Sequence, residues 1–253
     1  MTMIIKAMVR KADPKEDKVY AKPIDQLEAF KFNAQVADVF QNMIERSIPG
    51  YHLILDIIGL TTEHFAQSNT HCYDLGCSLG ASTLKMGQHL PMSCMAIGID
   101  NSSDMVERCK ANVARDQSQA KIEIRHEDLR TTIIENASVV VMNFTLQFIP
   151  EADRDNILKG IADGLVDGGV FLLCEKIKFG NDDQQALFED LHLSFKRLMG
   201  YSDLEIAQKR AALENVLIPS TITELHECAS RAGFSRTELI IQCLNFVAIL
   251  AIK

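Results

Sequence analysis

The stretch Tyr73-Asp74-Leu75-Gly76-Cys77-Ser78-Leu79-Gly80-Ala81-Ser82 decides how this chain folds. An apolar run ends in a glycine turn and a helical pattern opens directly after it, which is how a buried strand feeds a helix. Gly76 suits a tight turn and close approach of a ligand, and Gly80 lets the next helix lie against the sheet. Ser78 stands where a dinucleotide fingerprint has its second glycine, the residue that lets backbone amides reach a pyrophosphate.

Outward from this turn, short β-rich runs alternate with helical stretches, the signature of βαβ units and a parallel sheet. Strands are predicted over 71–75, 94–99, 121–125, 138–142 and 170–174, with helices over 81–90, 103–114 and 153–165. The last two β-rich runs, 237–241 and 246–252, are close enough in sequence to form an antiparallel hairpin. Five parallel strands closed by such a hairpin resemble the α/β, Rossmann-like class I methyltransferase fold, a mostly parallel seven-stranded sheet.

Before the sheet, Val36, Val39, Phe40, Met43 and Ile44, then Leu53, Ile54 and Ile57, mark two helices broken at Ser47-Ile48-Pro49-Gly50. They predict an N-terminal helical cover over 30–66. A helical insertion is expected over 182–215, ahead of the last two strands. Residues 26–253 read as a single α/β domain, and residues 1–25, basic and poorly periodic, as a mobile arm.

Composition narrows the function. The 253 residues are 47% apolar and 24% charged, with a net charge of −8. That balance provides for a sizeable core and argues against a large phosphate-binding footprint, so no direct stable nucleic-acid binding is expected. The apolar stretches 168–174 and 239–252 are too short, or too interrupted by Gln242 and Asn245, to span a bilayer. Met1 to Arg10 lacks the pattern of a signal peptide. Seven scattered cysteines fit a reducing compartment, and a cytoplasmic protein is expected. Cys72 and Cys77 have no second Cys or His pair to complete a metal site, so no metal is expected.

The loops at the strand ends carry the chemistry. Asp100, in Gly98-Ile99-Asp100-Asn101, closes the second strand 24 residues after Gly76. A carboxylate there accepts from both hydroxyls of a ribose, with a helix N-cap for the segment from Ser102 as the lesser alternative. His126-Glu127-Asp128-Leu129-Arg130 follows the third strand, where a carboxylate and a backbone amide suit an adenine. Asn143 ends the fourth strand. The glycine turn and the loops bearing Asp100 and Asp128, three in register at the carboxyl edge, point to an adenosine ligand, and the departure at Ser78 favours S-adenosylmethionine, which has no pyrophosphate, over a dinucleotide. Asn143 is not followed by the Pro-Pro-aromatic run typical of amino-group methyltransferases, which counts against methyl transfer to a nitrogen. Cys77 has no adjacent His and reads as a small buried residue rather than a nucleophile.

Beyond the generic fold, Met43-Ile44-Glu45-Arg46-Ser47-Ile48-Pro49-Gly50-Tyr51, Asn143-Phe144-Thr145-Leu146-Gln147-Phe148, Gly200-Tyr201-Ser202-Asp203-Leu204-Glu205, Gln208-Lys209-Arg210 and Leu213-Glu214-Asn215-Val216 resemble the carboxy-S-adenosyl-L-methionine synthase family over residues 25–253. The resemblance implies a transferase that converts S-adenosyl-L-methionine and prephenate to carboxy-S-adenosyl-L-methionine, phenylpyruvate and water. Carbon dioxide lost from prephenate is captured at the methyl group next to the sulfonium, in a site closed to water. The product passes to a tRNA carboxymethyltransferase for modification of the wobble uridine to 5-oxyacetyluridine.

The resemblance also implies cofactor contacts at Tyr51, Gly76, Cys77, Ser78, Asp100, Asn101, Asp128, Leu129 and Asn143. It makes Arg210 the residue that binds the new carboxylate, reaching across a homodimer interface into the neighbouring site. Independently, Ser202-x-x-Glu205 reads as a capping box, and the helical spacing from it turns Arg210 towards the packed side, with an i,i+4 pair to Glu214 as the alternative. The chain departs from the family pattern at Phe246-Val247-Ala248, Cys174-Glu175-Lys176-Ile177 and a longer N-terminal extension. Two other functions share the cofactor residues: a methyltransferase acting on a small molecule or RNA, and a non-catalytic subunit that binds S-adenosylmethionine.

Overall fold

A computed structural model describes residues 15–116 and 118–253. Seven strands form one sheet: β1 (His71–Leu75), β2 (Met95–Asp100), β3 (Lys121–His126), β4 (Ala137–Asn143), β5 (Leu165–Lys176), β6 (Arg236–Cys243) and β7 (Phe246–Ile252). Their order is β3-β2-β1-β4-β5-β7-β6. The first five run parallel, and β7 is antiparallel to both β5 and β6. The chain order reverses between β1 and β4, and in open α/β sheets ligands sit outside the carboxyl ends of the strands at such a point.

Alternation along each strand builds two apolar layers. Tyr73, Leu75, Val140, Met142, Phe171, Leu173, Val247 and Ile249 face one side. There they pack against α5 (Glu151–Gly164) and α8 (Ile222–Ala232). Cys72, Val139, Val141, Val170, Leu172, Cys174 and Ala248 face the other. That side is covered by α2 (Tyr51–Phe65) and α3 (Ala81–His89). Both faces of the central strands are therefore dry, which is why their sequences read as continuous apolar runs.

A third cluster caps the carboxyl edge. It joins Tyr20 and Phe30 to Val36, Ala37, Val39 and Met43 of α1 (Ala34–Glu45), Met105 of α4 (Ser103–Arg115) and Ala212 of α7 (Asp203–Leu213). Together with α6 (Asp182–Leu198), α7 occupies the expected insertion.

Three differences from the sequence reading have physical causes. Residues 1–14 of the expected mobile arm lie outside the described residues, but 15–25 are held against α7. Gln208 donates to the carbonyls of Tyr20 and Lys22 and accepts from the Ile24 amide, and the Tyr201 hydroxyl donates to buried Asp17 at 2.5 Å. The fifth strand begins at Leu165 rather than Val170, with Gly168 at φ +73° where its pairing with β4 shifts register. Helix α8 was not anticipated, although Thr221 and Glu224 form a reciprocal capping box and Gly233 ends the helix at φ +103°.

Candidate cofactor crevice

The glycine turn after β1 is the floor of the crevice. Gly76, Ser78 and Gly80 all have positive φ, and the amides of Gly76 and Cys77 both donate to the Ile99 carbonyl at the end of β2. A side chain at Gly76 would meet Thr145 Oγ1 at 2.3 Å, so the loop after β1 lies directly against the loop after β4.

Asp100 ties three loops together. One carboxylate oxygen accepts from the Ser78 amide and the other from the Ser102 amide, both at 2.9 Å. Its carbonyl accepts from Glu127 at 3.1 Å, beside Asp128. Burial pushes the Asp100 carboxyl up from its ordinary value, against the pull of these amides. The cap of α4 is Ser102, whose hydroxyl accepts from Met105, so capping is not assigned to Asp100 itself.

The other candidates distribute around this knot. Asn101 is exposed, and its carbonyl contacts a ring nitrogen of His126 at 3.0 Å. Asp128 is half-buried and held by Arg130, which donates to it through its amide and guanidinium and pulls its pKa down to about 2. Leu129 packs against the core beside it. Tyr51, buried at the start of α2, belongs to the same apolar cluster as Phe144. The Cys77 thiol is buried, and a hydrogen bond with Cys109 and then burial push it up, away from a reactive thiolate.

Two acceptors in this region are buried and unpartnered among the described residues: Asn143 Oδ1 and Asp74 Oδ1. Asn143 donates through its amide nitrogen to Ser82 at 3.0 Å, which leaves its oxygen unused. Asp74, on the same strand as the glycine turn, accepts from Thr83 at 2.5 Å through one oxygen only. Buried acceptors without donors are costly, and a ligand carrying an ammonium and ribose hydroxyls supplies what they lack. The residues present fit S-adenosylmethionine. Asp74 lies within the glycine-turn motif, but one acid in a buried strand carries no sequence signal of an unpaired oxygen.

Burial raises the Asp74 carboxyl to about 7. It therefore contributes its full stability below the ordinary carboxylate range and loses it as pH rises through about 7. We expect Asp74→Asn, measured without ligand, to become more stable relative to the parent as pH rises from 5 to 8. A melting-temperature difference that stays constant over that range would show that Asp74 titrates normally.

Arg210 lies elsewhere than the helical spacing suggested. The capping box of Ser202 and Glu205 is present, but it is Lys209 that turns inward, while the Arg210 side chain is 61% exposed. Its partner is Glu189 of α6, at 3.0 Å, not Glu214.

Comparison with known proteins agrees with this geometry. Residues 73–169 match the family described as a methyltransferase domain. Among solved structures, a putative S-adenosyl-L-methionine-dependent methyltransferase from Methanococcus maripaludis superposes with a TM-score of 0.59 at 20% identity, covering 90% of this chain and 96% of that one. Human N-acetylserotonin methyltransferase gives 0.60 at 18%, covering 87% and 55%. At these identities the likeness shows the fold alone. The curated relatives are far nearer. Carboxy-S-adenosyl-L-methionine synthase of Hahella chejuensis is 51% identical over 244 residues, 94% of this chain and 98% of its own. The enzyme of that name from Geobacter metallireducens is 48% identical over 241 residues, 94% and 99%. With near-complete coverage of both chains at this identity, on a sheet whose crevice fits the adenosyl ligand, the chain belongs to the carboxy-S-adenosyl-L-methionine synthase family.

Proposed function

We propose that this enzyme carboxylates S-adenosyl-L-methionine with prephenate, giving carboxy-S-adenosyl-L-methionine, phenylpyruvate and water. The observation that carries the reading is the identity to carboxy-S-adenosyl-L-methionine synthases along nearly the whole chain. The atoms balance without an external oxidant: prephenate expels its ring hydroxyl as it loses carbon dioxide, the cofactor's methyl group gives up a proton, and the two leave as water. The carbon so exposed, next to positive sulfur, forms the new bond to carbon dioxide.

In this reading Asp100 takes the ribose hydroxyls, with Asn101 beside it. Asp128 takes the adenine amino group, sharing itself with Arg130, and the Leu129 amide takes a ring nitrogen. The Gly76-Cys77-Ser78 turn lies along the ligand, while Asn143, Tyr51 and Asp74 surround its amino-acid end. Arg210 binds the new carboxylate from the neighbouring subunit of a homodimer. Its exposure supports this, and a homodimer contact is supported separately by an apolar strip on the other side of α6, where Leu187, Leu191 and Leu198 share one outward face and are 56%, 43% and 82% exposed.

Incubating the protein with S-adenosylmethionine and prephenate tests the function. The product expected by mass spectrometry is heavier than the cofactor by one carbon dioxide. Protein that binds cofactor but transforms nothing would instead be a binding subunit.

The tRNA carboxymethyltransferase that uses the product is expected to be a separate partner. Because the net charge is −8, turnover should proceed equally well with nuclease-treated protein. A strict requirement for RNA would overturn the synthase reading in favour of an RNA methyltransferase. No helix among the described residues is long and apolar enough to cross a membrane.

A further inference from the structure

Past the carboxyl end of β5, several cations converge where few anions answer them. Glu189, His192 and Lys196 lie at positions i, i+3 and i+7 of α6 and so share one face, opposite the exposed leucine strip. His192 is buried, packs edge-on to Phe246 at 5.0 Å and contacts the Ser47 carbonyl at 2.9 Å. Lys209 of α7 reaches the same residue, donating to Ser47 Oγ at 2.9 Å. Lys176, the last residue of β5, is in register with Phe246. Phe246 in turn packs edge-on to Phe144 at 5.8 Å, and Phe144 follows Asn143 in the cofactor crevice. The face of α6 that bears Lys196 therefore borders the crevice.

The charges in this group are unevenly matched. Arg210 has Glu189, and Lys209 has Ser47 and, at 4.0 Å, Asp17. Lys176 and Lys196 are half-buried and have no ion-pair partner among the described residues. Burial holds both ammonium groups below the ordinary lysine range, Lys196 at about 7, where Lys209, Lys176 and Arg210 add to the effect. Partly desolvated cations beside a crevice are stabilised by an incoming anion.

We propose that Lys196 and Lys176 form a second anion subsite, which binds the carboxylate of the co-substrate that is not transferred. This rests on the reaction proposed above. Prephenate carries two carboxylates: one leaves as carbon dioxide and reappears on the cofactor, where in that reading Arg210 of the neighbouring subunit receives it. The other belongs to a 2-oxo acid side chain and remains on phenylpyruvate. One guanidinium serves the first, and the two lysines without an ion pair of their own, Lys176 sharing the field of Glu189 with Arg210, serve the second. His192, uncharged and wedged between Ser47 and Phe246, holds that face of α6 in place.

Because phenylpyruvate retains only the second carboxylate, it isolates this subsite. In the parent enzyme it should inhibit competitively with prephenate. Lys196→Met should raise its inhibition constant and the KM for prephenate about tenfold, the loss expected for one charged hydrogen bond, while affinities for S-adenosylmethionine and its carboxylated product stay unchanged. Lys196→Arg, which keeps the charge, should recover most of the loss, and Lys176→Met provides a second variant should Lys196→Met fold poorly. If the parent makes no product from prephenate, the proposed function fails. If the parent is active but both methionine variants bind phenylpyruvate as it does, or lose all three ligands together, the subsite is overturned.

Discussion

Replacing Arg210 with Leu is expected to weaken binding of carboxy-S-adenosylmethionine by roughly ten- to a hundredfold, about 1.4–3 kcal/mol, while S-adenosylmethionine changes far less. A guanidinium holds a carboxylate through two parallel charged hydrogen bonds, and a methyl group offers nothing in their place. The structure makes this a clean experiment. Arg210 is largely exposed and its ion pair with Glu189 is a surface one, so removing it costs little stability. In Arg210→Lys the charge remains without the fork, and recovery should be partial. Isothermal calorimetry with both ligands measures the difference. Equal weakening of the two would mean that Arg210 supports only the fold or the dimer. Mixing subunits bearing Arg210→Leu with subunits bearing Asp100→Ala adds the geometry. If Arg210 serves the partner's site, each mixed dimer regains one complete site and activity returns; if it serves its own, mixing restores nothing.

Arg210 also marks the boundary of what could be read in the sequence. Strand positions were legible because a dry parallel sheet requires uninterrupted apolar runs, and β1 and β4 fall where those runs lie. The loops at strand ends were legible for a similar reason: Gly76 and Asp100 are fixed by backbone geometry local to their own strands. Arg210 was placed on the packed side because helical spacing specifies a face only when the neighbouring helix is known. Here Lys209 turns inward to Ser47, between α1 and α2, and to Asp17, while Arg210 turns out to Glu189 of α6. The pinning of residues 15–25 was invisible for the same reason, since Gln208 lies far from Tyr20 in the chain and no local pattern joins them. Helix α8 had a local signal in Thr221, Glu224 and Gly233, and could have been found. Asp74 could not. Its significance is an oxygen left without a donor, which depends on the positions of Thr83 and the strands on either side.

Asp100→Ala should weaken S-adenosylmethionine by roughly 1.5–3 kcal/mol, the range for hydrogen bonds to a charged group. The carboxylate already accepts one amide from Ser78 and one from Ser102, at 2.9 Å each, and its two oxygens have lone pairs to spare for both ribose hydroxyls. Burial raises its pKa in the free protein, and donors from the ligand favour the ionised form, so binding relieves part of the cost of burying the charge. Asp100→Asn keeps the shape but loses the charge and one acceptor, and should fall between the parent and Ala. The competing explanation is that Asp100 only ties the end of β2 to the glycine turn and to α4. Ser102→Ala separates the two, because it removes the cap of α4 without touching the carboxylate. If Asp100 binds the ribose, Ser102→Ala should lower the melting temperature and leave the affinity nearly intact, whereas Asp100→Ala should reduce affinity well beyond any change in stability. If instead the Asp100→Ala protein is folded and binds S-adenosylmethionine as the parent does, the ribose must be held by another residue.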